Sequence, residues 1–183
     1  MTASARPAPA SPAHPGPGPG PGPDPGLDAV RARIADVPDP ELPMLTLADL
    51  GVIRAVGRAA DGTVEVVYTP TYLGCPALPA IEAALREALE AGGHPGGRVR
   101  QELTPAWSTD AITPEGRRRL AAYGIVPPGP AAGPVALPLG TGVRCPHCGS
   151  TATRPQSLFG ATRCQALLHC TACRESFAHL KPA

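Results

Sequence analysis

Apolar residues recur at helical spacing near the start of the chain. Leu27, Val30, Ile34 and Val37 fall on one stripe, which Pro38 ends. The spacing predicts a helix over 27–37. Two β-rich runs follow, 51–58 and 63–69, joined by Ala59, Ala60, Asp61 and Gly62, a hairpin signal. In the second run Val64, Val66 and Tyr68 share one face, and Glu65 and Val67 take the other. A second amphipathic stripe, Leu78, Ile81, Leu85 and Leu89, predicts a helix from Pro76 or Pro79 to Ala91, with Glu82 and Arg86 at i,i+4 on its polar side. Gly92 and Gly93 stop it, and 97–103 returns as a strand. The order is α-β-β-α-β, a small α+β layer with helices on one face of a three-stranded sheet.

The pattern fails at both ends of this region. Residues 1–26 are mostly Pro, Gly and Ala, with too little apolar surface to offset the entropy of ordering them. They read as a disordered tail. The tail has no continuous apolar segment of the kind a secretory signal needs, and no later stretch has the length of a membrane span, so the expected location is the cytoplasm. Residues 27–126 read as the α+β domain with a Trp-containing extension, 127–142 as a Pro/Gly-rich linker and 143–183 as a separate module.

That module is defined by sulfur. Five of the six cysteines lie in the final third, and four form two C-x-x-C pairs, Cys145/Cys148 and Cys170/Cys173, with 21 residues between the pairs. In a reducing compartment this arrangement points to metal rather than disulfides. Two thiolate pairs suit the tetrahedral geometry of structural Zn²⁺, with Gly149 placed to turn the chain with positive φ after the first pair. So short a segment has little core, and metal binding of roughly 10–16 kcal/mol supplies the difference. The same thiolates could hold iron or a cluster. Cys164 is a fifth thiol in the module. It reads first as a small, partly buried side chain beside the site, and alternatively as a swappable ligand or redox group. His147, His169 and His179 read as surface or packing residues.

Charge narrows the partners. The net charge of the chain is +1. From Val143 onward five basic residues face one acidic residue, Glu175. With about −2 from four thiolates on a divalent ion, the module is too weakly basic for a nucleic-acid platform.

Cys75 stands apart, in a Gly/Pro-punctuated loop leaving the second strand. If Pro76 opens the helix, Cys75 is its N-cap and the helix end lowers its pKa. If Pro79 opens it, the effect weakens. Otherwise Cys75 is a buried small hydrophobe. Asp39-Pro40-Glu41 reads as a polar turn after the first helix, Asp49 as a turn cap, and Trp107 as a residue closing the core edge. Arg117, Arg118 and Arg119 read as the solvated face of a short helix, with docking to an acidic partner as the alternative.

Three stretches carry a resemblance. Asp39-Pro40-Glu41-Leu42-Pro43, Leu47-Ala-Asp-Leu-Gly51-Val-Ile and Tyr68-Thr-Pro-Thr-Tyr-Leu-Gly-Cys75-Pro76 resemble the iron–sulfur-assembly domain family that includes SufT-like proteins. Trp107-Ser-Thr-Asp110, the run from Thr113 to Ile125 and the terminal Cys-Pro-His-Cys module are similar to the PaaD family of the phenylacetyl-CoA epoxidase system. The resemblance spans roughly residues 27 to 180 and leaves out the tail. It implies an accessory rather than catalytic role in aerobic phenylacetate breakdown, assisting iron–sulfur assembly or insertion in a partner such as the reductase. The alternative is a structural docking subunit of the oxygenase. It also implies that Cys75, Asp39 and Glu41 are the functional positions, transiently holding iron or an iron–sulfur cluster. A lone thiol cannot complete a cluster, so further ligands would come from a second protomer of a homodimer, a partner or a small thiol.

Overall fold

The computed structural model describes residues 25–129 and 142–182. The predicted tail falls almost entirely outside these residues, as does most of the predicted linker. Helix α1 (Pro25–Ala35) buries Leu27, Val30 and Ile34, the stripe read from the sequence. Strands β1 (Ile53–Arg58) and β2 (Val64–Tyr68) pair antiparallel across the predicted turn, where Gly62 takes a positive φ of 82°. Helix α2 (Leu78–Ala91) buries Ile81, Leu85 and Leu89 and crosses over to β3 (Arg98–Gln101), which lies parallel to β2. The first sheet therefore has the order β1-β2-β3. Helix α1 packs on α2 and β1, and α2 packs on β3. Burial of Val64, Val66 and Tyr68 together confirms the alternation, although Val67 on the other face is also covered.

Beyond β3, Trp107 is buried and its indole Nε1 donates to the Leu50 carbonyl at 2.8 Å. A 3-10 turn (Thr109–Ala111) and helix α3 (Pro114–Ala122) follow, capped by the Thr113 hydroxyl, which accepts from the Gly116 amide. Gly51 is required where this extension meets the core. It has a φ of 66°, and a Cβ there would lie 2.2 Å from the Ala111 carbonyl oxygen.

Arg118 and Arg119 are exposed, as their reading as a solvated face expects, but the run also makes tertiary contacts. Arg119 reaches Asp49 at 2.9 Å, and Arg117 donates to the Thr109 and Pro128 carbonyls at 2.7 and 2.6 Å. Arg118 is left on the outer side, paired with Glu115. The 3.6-residue period shows that these side chains share a helix. It carries no information about a carboxylate that arrives from a loop 70 residues earlier.

Strands β5 (Thr153–Ser157), β6 (Gln165–Cys170) and β7 (Ser176–Leu180) form an antiparallel ribbon. A two-residue strand β4 (Ile125–Val126) lies parallel to β7 and extends the sheet to the order β4-β7-β6-β5. The ribbon is thereby joined to the rest of the molecule. Ile125 and Leu180 belong to the main hydrophobic core, whereas Leu168, Phe177, Cys145 and Cys170 form a second, smaller one.

Candidate functional site

The ribbon holds one of two sulfur sites. After each C-x-x-C the chain folds back identically. The Gly149 amide donates to the Cys145 carbonyl and the Arg174 amide to the Cys170 carbonyl, both at 2.9 Å. Gly149 takes the positive φ expected of it, 74°, and Arg174 takes 67° at the equivalent place without being glycine. The two turns bring the four sulfurs within 4.8 Å of one another, with Sγ···Sγ separations of 3.7 Å for Cys145–Cys173 and 3.6 Å for Cys148–Cys170. Four sulfurs at about 2.3 Å from a tetrahedral zinc stand about 3.8 Å apart, so the donor set fits such an ion. The Cys173 amide, followed by the Ala172 amide, is aimed at the Cys170 sulfur and brings its thiol down to about 7. Such amides stabilise thiolate ligands.

The second site lies on two loops of the α+β unit. Asp39 follows α1 in a tight loop closed by the Pro38–Thr46 bridge and by the Asp39 amide on the Leu45 carbonyl. Its carboxylate accepts from the Glu41 and Leu42 amides at 2.9 and 2.8 Å, a local Asx arrangement that turns Glu41 outward. Burial raises the Asp39 carboxyl, with those two amides opposing it.

Cys75 sits on the loop between β2 and α2, and its thiol donates to Glu41 Oε2 at 3.5 Å. The structure decides between the two helix starts in favour of the Pro79 alternative, so the N-cap option for Cys75 is not realised. Helix α2 begins at Leu78 with Ala77 as N-cap, so Cys75 precedes the helix. Its thiol is pushed up to about 11, first by burial and further by Glu41 and Asp39, against the Ala77 amide. A Pro-rich helix start is visible in sequence, whereas the carboxylates that oppose ionisation come from a loop 34 residues away.

These groups open into a cavity of about 450 Å³. The α+β unit contributes Asp39, Glu41, Tyr72 and Cys75 to its lining, and the ribbon segment contributes Phe159, Arg163, Cys164 and Lys181. Cys164 is therefore not beside the four-sulfur site. It packs against the main core, its Sγ 2.9 Å from Thr162 Oγ1, and its carbonyl accepts from the Lys181 amide. Burial raises its thiol, and Glu41 and Asp39 add to the rise. Of the three ribbon histidines, His179 is buried, with its pKa lowered by burial, and His147 is exposed.

Comparison with known proteins matches the two segments separately. Residues 27–101 match the model described as "Iron-sulfur cluster assembly protein" and residues 133–181 the "PaaD zinc beta ribbon domain". The chain is 45% identical over 150 residues to a putative 1,2-phenylacetyl-CoA epoxidase subunit from Escherichia coli, covering 82% of this chain and 89% of that protein. The chain belongs to the PaaD family. An Fe-S protein maturation auxiliary factor of Porphyromonas gingivalis is 36% identical over 89 residues, which is 48% of this PaaD-family chain and 83% of the relative. Among solved structures, a domain of unknown function from Bacillus anthracis matches 52% of the chain and 92% of its own length, at 21% identity and a TM-score of 0.47. No helix among the described residues is long and apolar enough to cross a membrane.

Proposed function

We propose that this PaaD-family chain is an accessory component of a phenylacetyl-CoA epoxidase system that receives iron or an iron–sulfur cluster at Cys75 and passes it to a partner, with the system's iron–sulfur reductase as the client. The observation that carries this reading is the Cys75 thiol on the Glu41 carboxylate, with Asp39 fixing the Glu41 loop, at the wall of an open cavity.

Cys145, Cys148, Cys170 and Cys173 hold Zn²⁺, which supplies folding energy to the ribbon. The transfer chemistry belongs to the other site. Loading replaces the proton on Cys75 Sγ by the metal, and Glu41 Oε2 is in place to accept that proton. The Cys75 thiol is held protonated in the free protein, its pKa pushed up to about 11 by burial and by Glu41 and Asp39, so loading must displace that proton.

Deletion of the gene followed by iron determination in the purified reductase tests the proposal. Depleted iron, restored by the wild-type gene and not by Cys75→Ala, is expected. Full iron loading and normal ring oxidation without the protein would reject it.

The second reading, a docking component without transfer, draws support from Tyr72, Leu158 and Phe159, all more than half exposed and lining the cavity, with exposed Leu73 next to Tyr72. It requires stable co-purification with the oxygenase and tolerance of Cys75→Ala.

A further inference from the structure

The cavity beside Cys75 is larger and more apolar than a metal ion requires. Buried Leu47, Leu50, Tyr68, Ile81, Trp107 and Leu180 form its floor. Tyr72 and Phe159, both more than half exposed, stand at its mouth. Four of the six aromatic residues of the chain thus line one opening, and two cations, Arg163 and Lys181, line it with them. We infer that this cavity binds an organic anion with an aromatic body, an arylalkanoate or its thioester, with the ring on the apolar floor and the anionic end on Arg163 and Lys181. The inference rests on the proposed function for the source of such molecules, phenylacetate and phenylacetyl-CoA being the members of this class in that system.

Size and lining set the ligand's body. The volume is about 450 Å³, within the range of roughly 300–1,000 Å³ usual for sites that take small organic ligands. Such sites are apolar with a few polar groups that fix orientation, and aromatic walls favour a flat ring by offset or edge contacts.

Charge sets its polar end. Arg163 is exposed and has no ion pair or hydrogen bond among the described residues. The Lys181 ammonium donates to the Leu158 carbonyl at 3.1 Å and stands 4.8 Å from the centre of the Phe159 ring, which leaves it donors for a ligand. Asp39 and Glu41 also line the cavity, but each is engaged. The Asp39 carboxylate accepts from the Glu41 and Leu42 amides, and Glu41 accepts from the Cys75 thiol. Their negative charge repels an anion from the acidic loop and leaves the ribbon's cations as its partners. The ribbon therefore supplies the ionic contacts, and the α+β unit supplies most of the floor. Binding is non-covalent, with no bond made or broken.

The test is calorimetric titration of the zinc-loaded full chain, with Trp107 emission followed in parallel. The probes are phenylacetate, phenylacetyl-CoA, CoA and acetate. Saturable one-to-one binding with a change in Trp107 emission is expected. Phenylacetate binding about tenfold or more above acetate assigns the free acid. Binding of the thioester alone, about tenfold or more above CoA, assigns the thioester. Either result supports the inference. Arg163→Gln should weaken the ligand about threefold and Arg163→Glu about tenfold, as a partly screened ionic contact requires. Should either variant lose zinc, a neutral counterpart on wild type decides, phenylacetamide for the acid or phenylacetyl-pantetheine for the thioester. It should bind about threefold or more weakly.

No saturable binding below about 1 mM overturns the inference. Equal affinity for the ring-bearing ligand and its ringless counterpart, for the charged and neutral ligands, or for wild type and Arg163→Glu does so as well. Trp107 emission that responds only to a purified subunit of the oxygenase system gives the cavity to a partner's apolar segment, and the inference falls. The two readings fail separately. If Cys75→Ala leaves reductase iron normal while phenylacetate or its thioester binds, only the transfer function falls. If Cys75→Ala depletes that iron and neither probe binds, only the ligand falls.

Discussion

The thiol of Cys75 donates to Oε2 of Glu41 at 3.5 Å, joining two loops separated by 34 residues. The pair keeps the empty site protonated, because a thiolate there would face both burial and a carboxylate. Alkylation of Cys75 by iodoacetamide should therefore be slow at pH 7.5 and rise about tenfold per pH unit up to pH 10. Glu41→Gln removes the negative charge and should move that profile to lower pH, accelerating alkylation at pH 7.5 several-fold. Peptide mass spectrometry of the Cys75 peptide measures this. An unchanged profile would mean that burial and Asp39, without Glu41, hold the proton.

Asp39 presents a stability cost at the same site. Its carboxyl is raised by burial more than the Leu42 and Glu41 amides lower it. A folded pKa above the unfolded one means that the folded chain holds the proton more tightly. Its contribution is then fullest below the usual carboxylate value near 4 and is lost as pH rises through the folded value. Asp39→Asn keeps an oxygen for both amides without the charge. It should match or exceed wild-type stability in urea at pH 7, with the advantage vanishing near pH 4. Asp39→Ala, which orphans the two amides, should lose about 1–2 kcal/mol. If the Asn variant is stable but fails to support reductase iron loading, the buried charge is retained for metal handling rather than for folding.

What the sequence discloses here is what is local. The stripe Ile81, Leu85 and Leu89, the β2 alternation and the two C-x-x-C pairs each lie within one element or one turn, and each is found where its period places it. Strand β4 has two residues, too few for any period, and its pairing of Ile125 with Ala178 depends on where the ribbon lies. Arg174 adopts a positive φ that glycine would have advertised. Cys75 and the Asp39–Glu41 turn were each visible as local features, and only the family resemblance joined them as one candidate site. The environment of Cys75 was not visible, since the proline signals suggested a helix cap while the carboxylates arrive through tertiary contact. Cys164 is the clearest case. Its neighbours in sequence belong to the ribbon, whereas in space it packs against the main core and lines the cavity that Cys75 also lines.

Arg119 and Asp49 offer a check on the extension. The pair spans 70 residues at 2.9 Å, with the Asp49 side chain 11% exposed and that of Arg119 45% exposed. Solvent screens the arginine end, so a double-mutant cycle of Arg119→Ala and Asp49→Ala should give a coupling of about 0.5–1 kcal/mol. Asp49 also accepts from the Thr46 amide at 3.0 Å and from the Thr113 hydroxyl at 3.4 Å. Its single replacement should therefore cost more than that of Arg119. Equal single effects would place Asp49's value in the ion pair alone.

Removal of zinc should be felt at the cavity. Among the described residues, the ribbon's own core is Leu168 and Phe177 besides two cysteines, with Val126 and Val143 partly buried against it, so it has little to hold it once the metal leaves. Leu180, at the end of β7, belongs to the main core and lines the cavity together with Trp107, the chain's single tryptophan. Chelation under anaerobic conditions should unfold the ribbon, uncover Trp107 and shift its emission to longer wavelength. Cys75 and Cys164 should become faster to alkylate. Helices α1 and α2 pack with the first sheet independently of the ribbon's small core, so far-ultraviolet helix signal should largely persist. Zinc readdition should reverse all three changes. Tryptophan emission that stays fixed as zinc leaves would show that the clasp of four sulfurs does not set the geometry around Cys75.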